Sequence, residues 1–275
     1  MIVTRFAPSP TGFLHLGHAF AAFNAWQRAR DAGGRFLLRL EDIDPGRCRP
    51  EFANAIMEDL AWLGLQWDGP VRVQSEHLSE YQAVLDSLAE QRLVYPCFCT
   101  RADIAASVAA PHAPDGALLY PGTCRRLSRT ERTERIAAGE RFALRLDMAA
   151  ANRTGLSYHE ANEGRIACHP ERFGDVVLAR KDAPASYHLC VTHDDALQGV
   201  TVVTRGEDLR PATDVHRLIQ TLMEWPEPRY AHHRLLRDAA GRRLAKRDKA
   251  ATLQSLRAEG VSARALIERF KHDRA

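Results

Sequence analysis

The chain has 275 residues, a formal net charge of +3, and a composition in which 45% of residues are hydrophobic and 27% are charged. This length suits one large domain with an insertion, or two smaller domains. The nearly balanced charge argues against a protein that coats nucleic acid. No apolar run approaches the ~20 residues of a membrane-spanning helix. We expect a globular protein without a membrane partner, and a cytoplasmic location because the six cysteines lack a secretory context. We expect a monomer, since no feature of the sequence demands more.

The first strand and the first helix are predicted to meet at a turn rich in proline, glycine and histidine. Residues 2–4 are typical of a short strand, and apolar residues recur at helical spacing from Leu16 until Gly33 and Gly34. Such a turn offers free backbone N–H groups and the positive end of a helix, which favour a phosphate. A single histidine such as His15 or His18 is common at the start of a helix and does not by itself indicate a binding site. Taken as a whole, the segment predicts a nucleotide site.

A second group of polar residues follows the next predicted strand. Residues 36–40 are mostly apolar, as in a buried parallel strand, and lead directly into Glu41. Ligands of open α/β sheets bind beyond the carboxyl ends of the strands, so Arg5, the histidine turn and Glu41 should share one rim. Glu41 is suited to hold an ammonium group and Arg5 a carboxylate. The alternative is that Glu41 belongs to an acidic, solvent-exposed turn that binds no ligand.

Two helices are then predicted to pack in the core without a chemical role. One begins at Pro50 and ends before Gly64, and its apolar residues recur at helical spacing. The other carries an apolar stripe through residues 78–88. Both patterns indicate packing surfaces.

Three cysteines in the middle of the chain have the spacing of a zinc knuckle. Cys97 and Cys99 lie close together, and Cys124 follows in the segment that also contains Tyr120. Structural zinc takes four ligands and prefers thiolates, so a fourth ligand is needed. His112 is the chemically conservative choice, and three buried cysteines without metal are the alternative. A closed site of this kind would be structural.

The remaining sequence predicts an insertion followed by a return to sheet. A helical stretch near 125–140 and a strand at 142–146 belong to the expected insertion, and strands are predicted at 175–180, 187–191 and 200–209. Short helical stretches are expected at 252–259 and 263–270. We predict four regions: a first catalytic half (1–96), the insertion (97–180), a second catalytic half (181–235) and a basic loop with short helices (236–275).

Four segments carry a resemblance to class I aminoacyl-tRNA synthetases. Residues 15–18, His-Leu-Gly-His, resemble the His-Ile-Gly-His signature of that class, and residues 5–11 resemble its glutamyl and glutaminyl branch. Residues 186–209 resemble the second half of the same fold. Residues 243–247, Arg-Leu-Ala-Lys-Arg, resemble a degraded Lys-Met-Ser-Lys-Ser loop. The implied fold is α/β: a Rossmann-like catalytic domain with an inserted α+β subdomain that contains the zinc knuckle, and a short helical C-terminal segment.

The resemblance also implies roles for individual residues. Lys246, His15 and His18 are the expected catalytic residues, and with Gly17 they are expected to bind ATP and its Mg²⁺. Similarity to the short glutamyl-queuosine tRNA(Asp) synthetases implies one structural Zn²⁺, held by Cys97, Cys99, Tyr120 and Cys124. The residues expected to contact L-glutamate are Arg5, Phe6, Ala7, Pro8, Ser9, Glu41, Tyr187 and Arg205.

The extent of the resemblance points to one function within the family. It covers nearly the whole chain but only the catalytic part of the longer glutamyl-tRNA synthetases, whose anticodon-reading region has no counterpart after Lys246. This implies activation of L-glutamate with ATP and its transfer to queuosine in the anticodon loop of tRNA(Asp). Three alternatives are a truncated enzyme charging a tRNA 3′ end, an adenylating enzyme with a non-tRNA acceptor, and an inactive RNA-binding paralogue.

Overall fold

The computed structural model describes residues 1–106, 113–236 and 251–274, which form an α/β fold. The strands are β1 (Val3–Phe6), β2 (Arg35–Leu40), β3 (Arg72–Val73), β4 (Val94–Cys97), β5 (Ala143–Leu146), β6 (Ser157–Glu160), β7 (Gly164–Ala167), β8 (Val177–Ala179), β9 (Val202–Gly206) and β10 (Arg229–His233). The helices are α1 (Leu16–Asp31), α2 (Pro50–Trp62), α3 (Leu78–Glu90), α4 (Arg101–Ala106), α5 (Arg129–Ala137), α6 (Met148–Ala151), α7 (Tyr187–Leu197), α8 (Thr213–Leu222), α9 (Leu253–Ala258) and α10 (Ala263–Arg274). No helix in these described ranges is long and apolar enough to cross a membrane.

Parallel strands from both halves of the chain meet edge to edge. In the first half β2 lies between β1 and β3, and in the second half β9 pairs in parallel with β10. The halves are joined where the backbone N–H of Thr201 donates to the carbonyl oxygen of Val3, at 2.9 Å. Further along, the Arg5 side chain reaches the carbonyl oxygen of Thr204, so β1 and β9 run in the same direction. The carboxyl ends of β1, β2, β9 and β10 consequently open on one rim.

The predicted insertion contributes strands to two sheets, the first of which begins with β4 at Val94, before the predicted boundary. Strands β4, β5 and β8 form an antiparallel sheet. The hairpin β6–β7 instead joins the main sheet, because β6 pairs in parallel with β10 where Glu160 meets Tyr230. The segment between residues 97 and 180 therefore supplies a strand that supports the rim.

Two apolar clusters hold the helices on the sheet. One packs Phe20 and Phe23 of α1 against Phe36 of β2 and Phe270 of α10. The other joins α3, α7 and α8 to the antiparallel sheet. Burying apolar surface stabilises by ~25 cal/mol per Å², so a helix that buries this face is held firmly. This packing fixes α1, whose first turn carries the histidines of the predicted nucleotide site.

The sequence predictions for the first half are confirmed, and one prediction for the second half is wrong. The first strand, the first helix, the second strand and the helix that begins at Pro50 are present. Residues 187–191, however, begin α7 and are not a strand. The three residues from Leu189 to Val191 are all apolar and all buried. The sequence therefore shows no apolar stripe confined to one face of a helix. A short apolar run fits a buried strand or a buried helix equally well.

Candidate active site

The two histidines of the turn cap the N-terminus of α1. The Nδ1 atom of His15 accepts from the backbone N–H of Gly17 at 3.1 Å, and Nδ1 of His18 accepts from the N–H of His15 at 3.3 Å. Their rings stack with centroids 3.8 Å apart. Because each Nδ1 accepts, each neutral ring carries its proton on Nε2. The turn therefore combines ring N–H donors with the positive end of a helix, a combination suited to phosphate oxygens.

Arg5, at the carboxyl end of β1, is held in a buried charge network. Its Nε and NH2 atoms donate to the two carboxylate oxygens of Asp195 at 2.9 and 3.2 Å, and NH1 donates to the carbonyl oxygen of Thr204. Asp195 also accepts from Arg39 at 2.7 Å. Burial opposes ionisation of Asp195, but Arg5 and Arg39 outweigh it and hold the pKa of this carboxyl below its usual range. Arg5 is thus fixed in direction by a carboxylate of the protein itself.

Glu41, at the carboxyl end of β2, is a buried carboxyl with spare hydrogen-bonding capacity. It lies 3.7 Å from Nε of Arg39, and its Oε1 atom has no hydrogen-bond partner among the described residues. Burial raises the pKa of Glu41 to about 7, against the opposing influence of Arg39 and Arg5. An unsatisfied buried carboxylate oxygen is costly, so a cationic ligand there would be favourable.

The loop after β1 runs beside this carboxyl. The backbone N–H of Glu41 donates to the carbonyl oxygen of Pro8 at 3.0 Å. The predicted substrate segment from Phe6 to Ser9 therefore borders Glu41. Pro8 is buried, whereas Ser9 is exposed.

Tyr187 and Arg205 complete the rim from the second half of the chain. Arg205 is the penultimate residue of β9 and is 5% exposed, and its NH1 atom lies 3.5 Å from the Tyr187 hydroxyl. Burial raises the pKa of the Tyr187 phenol, whereas the charges of Arg205 and Arg5 lower it and that of Glu41 raises it. The structure thus places Tyr187 within electrostatic range of Arg5, Glu41 and Arg205, and Glu41 within range of Arg5.

Three residues that contact Arg205 were missed by sequence reasoning. Thr213 and His216 lie on α8, and His232 lies on β10. No motif marks them, and both elements were absent from the sequence prediction.

The predicted zinc ligands converge at the end of β4. The sulfur atoms of Cys97, Cys99 and Cys124 lie within 4.8 Å of one another, and those of Cys99 and Cys124 are 3.5 Å apart. The Tyr120 hydroxyl oxygen is 3.5 Å from the Cys99 sulfur. Tetrahedral zinc with bonds of ~2.3 Å would hold sulfurs about 3.8 Å apart, so this donor set fits such an ion. The alternative ligand His112 lies outside the described residues, as does Lys246 of the predicted basic loop.

Comparisons with known proteins agree with this arrangement. The family described as "tRNA synthetases class I (E and Q), catalytic domain" matches residues 1–272. A glutamyl-Q tRNA(Asp) synthetase of Rhodobacter capsulatus is 50% identical over 270 residues, covering 95% of this chain and 96% of that protein. The protein of the same name from Nitratidesulfovibrio vulgaris is 45% identical over 275 residues, covering 96% of this chain and 83% of that protein.

Solved structures show the same fold. A glutamate–tRNA ligase from Elizabethkingia meningosepticum, crystallised with its amino acid, superposes with a TM-score of 0.76 at 28% identity over 90% of this chain. That match covers 52% of the ligase, so the chain spans about half the length of the solved relative. The chain therefore belongs to the class I glutamyl- and glutaminyl-type tRNA synthetase family, within its glutamyl-Q tRNA(Asp) synthetase branch.

Proposed function

We propose that this protein activates L-glutamate with ATP and transfers the glutamyl group to queuosine in the anticodon loop of tRNA(Asp). The observation that carries the proposal is the convergence of Arg5, Glu41, Tyr187 and Arg205 on one rim of the sheet. These groups can recognise the ammonium group and the side-chain carboxylate of an acidic amino acid. The relatives that are 45–50% identical over most of their length supply the acceptor, because their names specify queuosine-bearing tRNA(Asp).

In the first step the α-carboxylate of glutamate attacks the α-phosphorus of ATP, and pyrophosphate leaves. A carboxylate is already nucleophilic, so the protein needs only to position the reactants and stabilise phosphate charge. We assign the glutamate ammonium group to Glu41 and its side-chain carboxylate to Arg205 and Tyr187. Backbone of the segment from Phe6 to Ser9 would line the amino acid beside Glu41.

The nucleotide is assigned to the turn at the start of α1. His15 and His18 would donate their Nε2 protons to phosphate oxygens, and Gly17 would allow close approach of the backbone. Lys246, assigned from the sequence, would stabilise the departing pyrophosphate together with Mg²⁺. In the second step a hydroxyl of the queuosine cyclopentenediol attacks the glutamyl carbonyl, and AMP leaves.

We also propose one structural Zn²⁺ at the knuckle, held by Cys97, Cys99, Tyr120 and Cys124. The proximity of three sulfurs and a phenol oxygen supports this assignment. The ion would cross-link β4 to the turn at residues 124–126. Because these two segments are well separated in the chain, the cross-link would stabilise the sheet to which β4 belongs. A monomeric state and a cytoplasmic location remain part of the proposal, and sedimentation of the purified protein tests the former.

The decisive experiment is transfer of labelled glutamate to two tRNA pools, one with queuosine and one from cells unable to make it. We expect label only in the pool that contains queuosine. Equal labelling of both pools would instead identify an enzyme that charges tRNA 3′ ends. No labelling, with glutamate-dependent exchange of pyrophosphate into ATP, would indicate a non-tRNA acceptor.

The Lys246→Ala variant tests whether the protein is a catalyst at all. An active enzyme should lose most of its pyrophosphate exchange in this variant, because the cation opposite the leaving group is gone. An inactive RNA-binding paralogue would show no exchange in either form.

A further inference from the structure

Arg205 is a buried cation whose protein partners are all neutral. Its Nε atom donates to Nε2 of His232 at 3.2 Å, NH1 to Nδ1 of His216 at 3.0 Å, and NH2 to the Thr213 hydroxyl at 2.7 Å. Within the described ranges no carboxylate oxygen lies within 4.0 Å of its nitrogens. Arg5, the other arginine of the rim, is in contrast paired with Asp195. The surplus positive charge of the pocket therefore resides on Arg205.

The hydrogen bonds of the two histidines determine their tautomers. A guanidinium can only donate, so Nε2 of His232 and Nδ1 of His216 must be unprotonated acceptors. The proton of His232 is then on Nδ1, from which it is donated to the Glu160 carboxylate at 2.6 Å. The proton of His216 is on Nε2, which donates to Nδ1 of His188 at 3.2 Å. In each histidine, the ring nitrogen that does not contact Arg205 thus has a hydrogen-bond partner of its own, and this partner fixes the orientation of the ring.

Both histidines are held in the neutral form. Burial, reinforced by the charge of Arg205, lowers the pKa of His232 to about 3 and lowers that of His216 well below its usual value. Burial also lowers the pKa of His188 to about 4. If His216 and His232 were protonated, two imidazolium cations would contact the Arg205 guanidinium. A buried site strongly disfavours such contact between like charges.

A buried guanidinium with no counterion is satisfied best by an anion that enters the pocket. Its planar fork matches a carboxylate in two-point contact, whereas an amide offers only one acceptor oxygen and no charge. We propose that His216 and His232 are positioning residues that orient Arg205 without neutralising it, and so make the pocket select an amino acid with an anionic side chain. This inference rests on the proposed activation of glutamate and assigns its selectivity over glutamine to these residues.

The test compares two nearly isosteric variants that differ by one charge. In His216→Asn the amide oxygen can take the place of Nδ1 as a neutral acceptor, whereas His216→Asp puts a carboxylate there. The readout is pyrophosphate exchange with glutamate and with glutamine as substrates. We expect His216→Asp to raise KM for glutamate more than it lowers kcat, and to reduce the preference in kcat/KM for glutamate over glutamine at least ~10-fold.

The neutral variant provides the internal comparison. His216→Asn should retain most of the preference for glutamate even where its rate falls, because Arg205 keeps its charge. His169→Asn, at an exposed histidine, should leave both KM and the preference unchanged. Thermal melting of each variant verifies that it is folded, and the pair His232→Gln and His232→Glu repeats the comparison if His216→Asp does not fold.

Two results would overturn the proposal. Equal loss of preference in the Asn and Asp variants would mean that the histidine acts through its shape alone. An unchanged preference in the Asp variant would mean that the charge of Arg205 does not govern selection. Failure of the proposed function is recognised separately, because the unmodified protein would then show no glutamate-dependent exchange.

Discussion

Glu41, to which we assign the glutamate ammonium group, has a pKa that burial moves into the physiological range. Its pKa of about 7 reflects burial first, which disfavours the charged form. Binding of an ammonium group needs the ionised carboxylate, so only the ionised fraction of the protein is competent. The protein thus holds this carboxyl near its titration point in the absence of substrate.

We therefore predict that KM for glutamate rises as pH falls. With a pKa near 7, lowering the pH from 7.5 to 6 reduces the ionised fraction roughly 8-fold, and KM should rise by a similar factor. The measurement is KM for glutamate in pyrophosphate exchange across this range, with Glu41→Gln as the comparison. The variant should bind weakly at every pH, and a pH dependence that persists in it would assign the titration to another group.

The raised pKa of Glu41 also makes the stability of the fold depend on pH, in the opposite direction to glutamate binding. Because the folded-state pKa of Glu41 is raised from 4.5 to about 7, its stabilising contribution is full below pH 4.5 and is lost as pH rises through 7. The binding group is therefore maintained at some expense to the fold.

Asp195 is the residue on which the buried charges of the rim depend. It accepts from both Arg5 and Arg39, and all three side chains are at least nine-tenths buried. We predict that Asp195→Asn lowers the free energy of unfolding by ~3–5 kcal/mol, because the buried Arg5 loses its carboxylate partner and the buried Arg39 keeps the more distant Glu41 and Asp194, each at 3.7 Å. Urea unfolding measures this loss. The exposed Asp86, whose carboxylate accepts from Gln82, is the control, and Asp86→Asn should cost less than ~1 kcal/mol.

At the scale of single elements, α1 is preceded by a histidine, His15, that caps the helix and to which we also assign a role in nucleotide binding. His15 accepts from the N–H of Gly17 and thereby satisfies one of the free donors of the helix start. Its ring faces the positive end of the helix. A substitution there will therefore affect folding and binding together unless the new side chain retains the cap.

His15→Asp should separate the two effects. Aspartate is a good N-cap, so helix stability should stay within ~0.5 kcal/mol of the original, whereas His15→Ala should lose ~1 kcal/mol. Against the triphosphate, however, the new carboxylate is repulsive, and KM for ATP should rise at least ~10-fold. Denaturant unfolding and pyrophosphate exchange measure the two quantities. Parallel losses of stability and ATP binding in both variants would contradict this separation.

The zinc knuckle is a second element, and its contribution to the stability of the fold can be tested directly. It joins β4 to the turn at Cys124, and a bound ion would restrict the inserted sheet. We predict one zinc per chain by elemental analysis, a lower Tm after chelation, and loss of zinc in Cys124→Ser. Tyr120→Phe should keep the ring packing but weaken zinc binding 10-fold or more, because the phenol oxygen is removed. Retention of full affinity in this variant would favour His112 as the fourth ligand.

At the scale of the whole molecule, the sequence was informative where motifs coincide with regular elements. The histidine turn, Arg5 and Glu41 could be placed because each lies directly at the end of a strand or the start of a helix with clear periodicity. The surroundings of Arg205 could not, because neither α8, which carries His216, nor β10, which carries His232, was predicted from the sequence. Their proximity depends on tertiary packing that no local pattern encodes.

The C-terminal helix closes the core of the first half of the chain. Phe270 of α10 is fully buried against Phe20 and Phe23, with ring centroids 5.7 and 5.8 Å away. Residues almost 250 positions apart in the chain are thus packed behind the helix that starts at the nucleotide turn. Loss of this packing should loosen α1 as well as α10, because both helices contribute to the same apolar cluster.

We predict that Phe270→Ala destabilises the protein by ~3–5 kcal/mol, since it removes a buried ring and leaves a cavity. Denaturant unfolding followed by tryptophan fluorescence and by circular dichroism measures the effect, and both signals should shift together. Lys271→Ala, on the neighbouring exposed position, should change stability by less than ~0.5 kcal/mol. If Phe270→Ala changes neither signal, α10 does not support the core of the first half, and the nucleotide turn is held by α1 and the sheet alone.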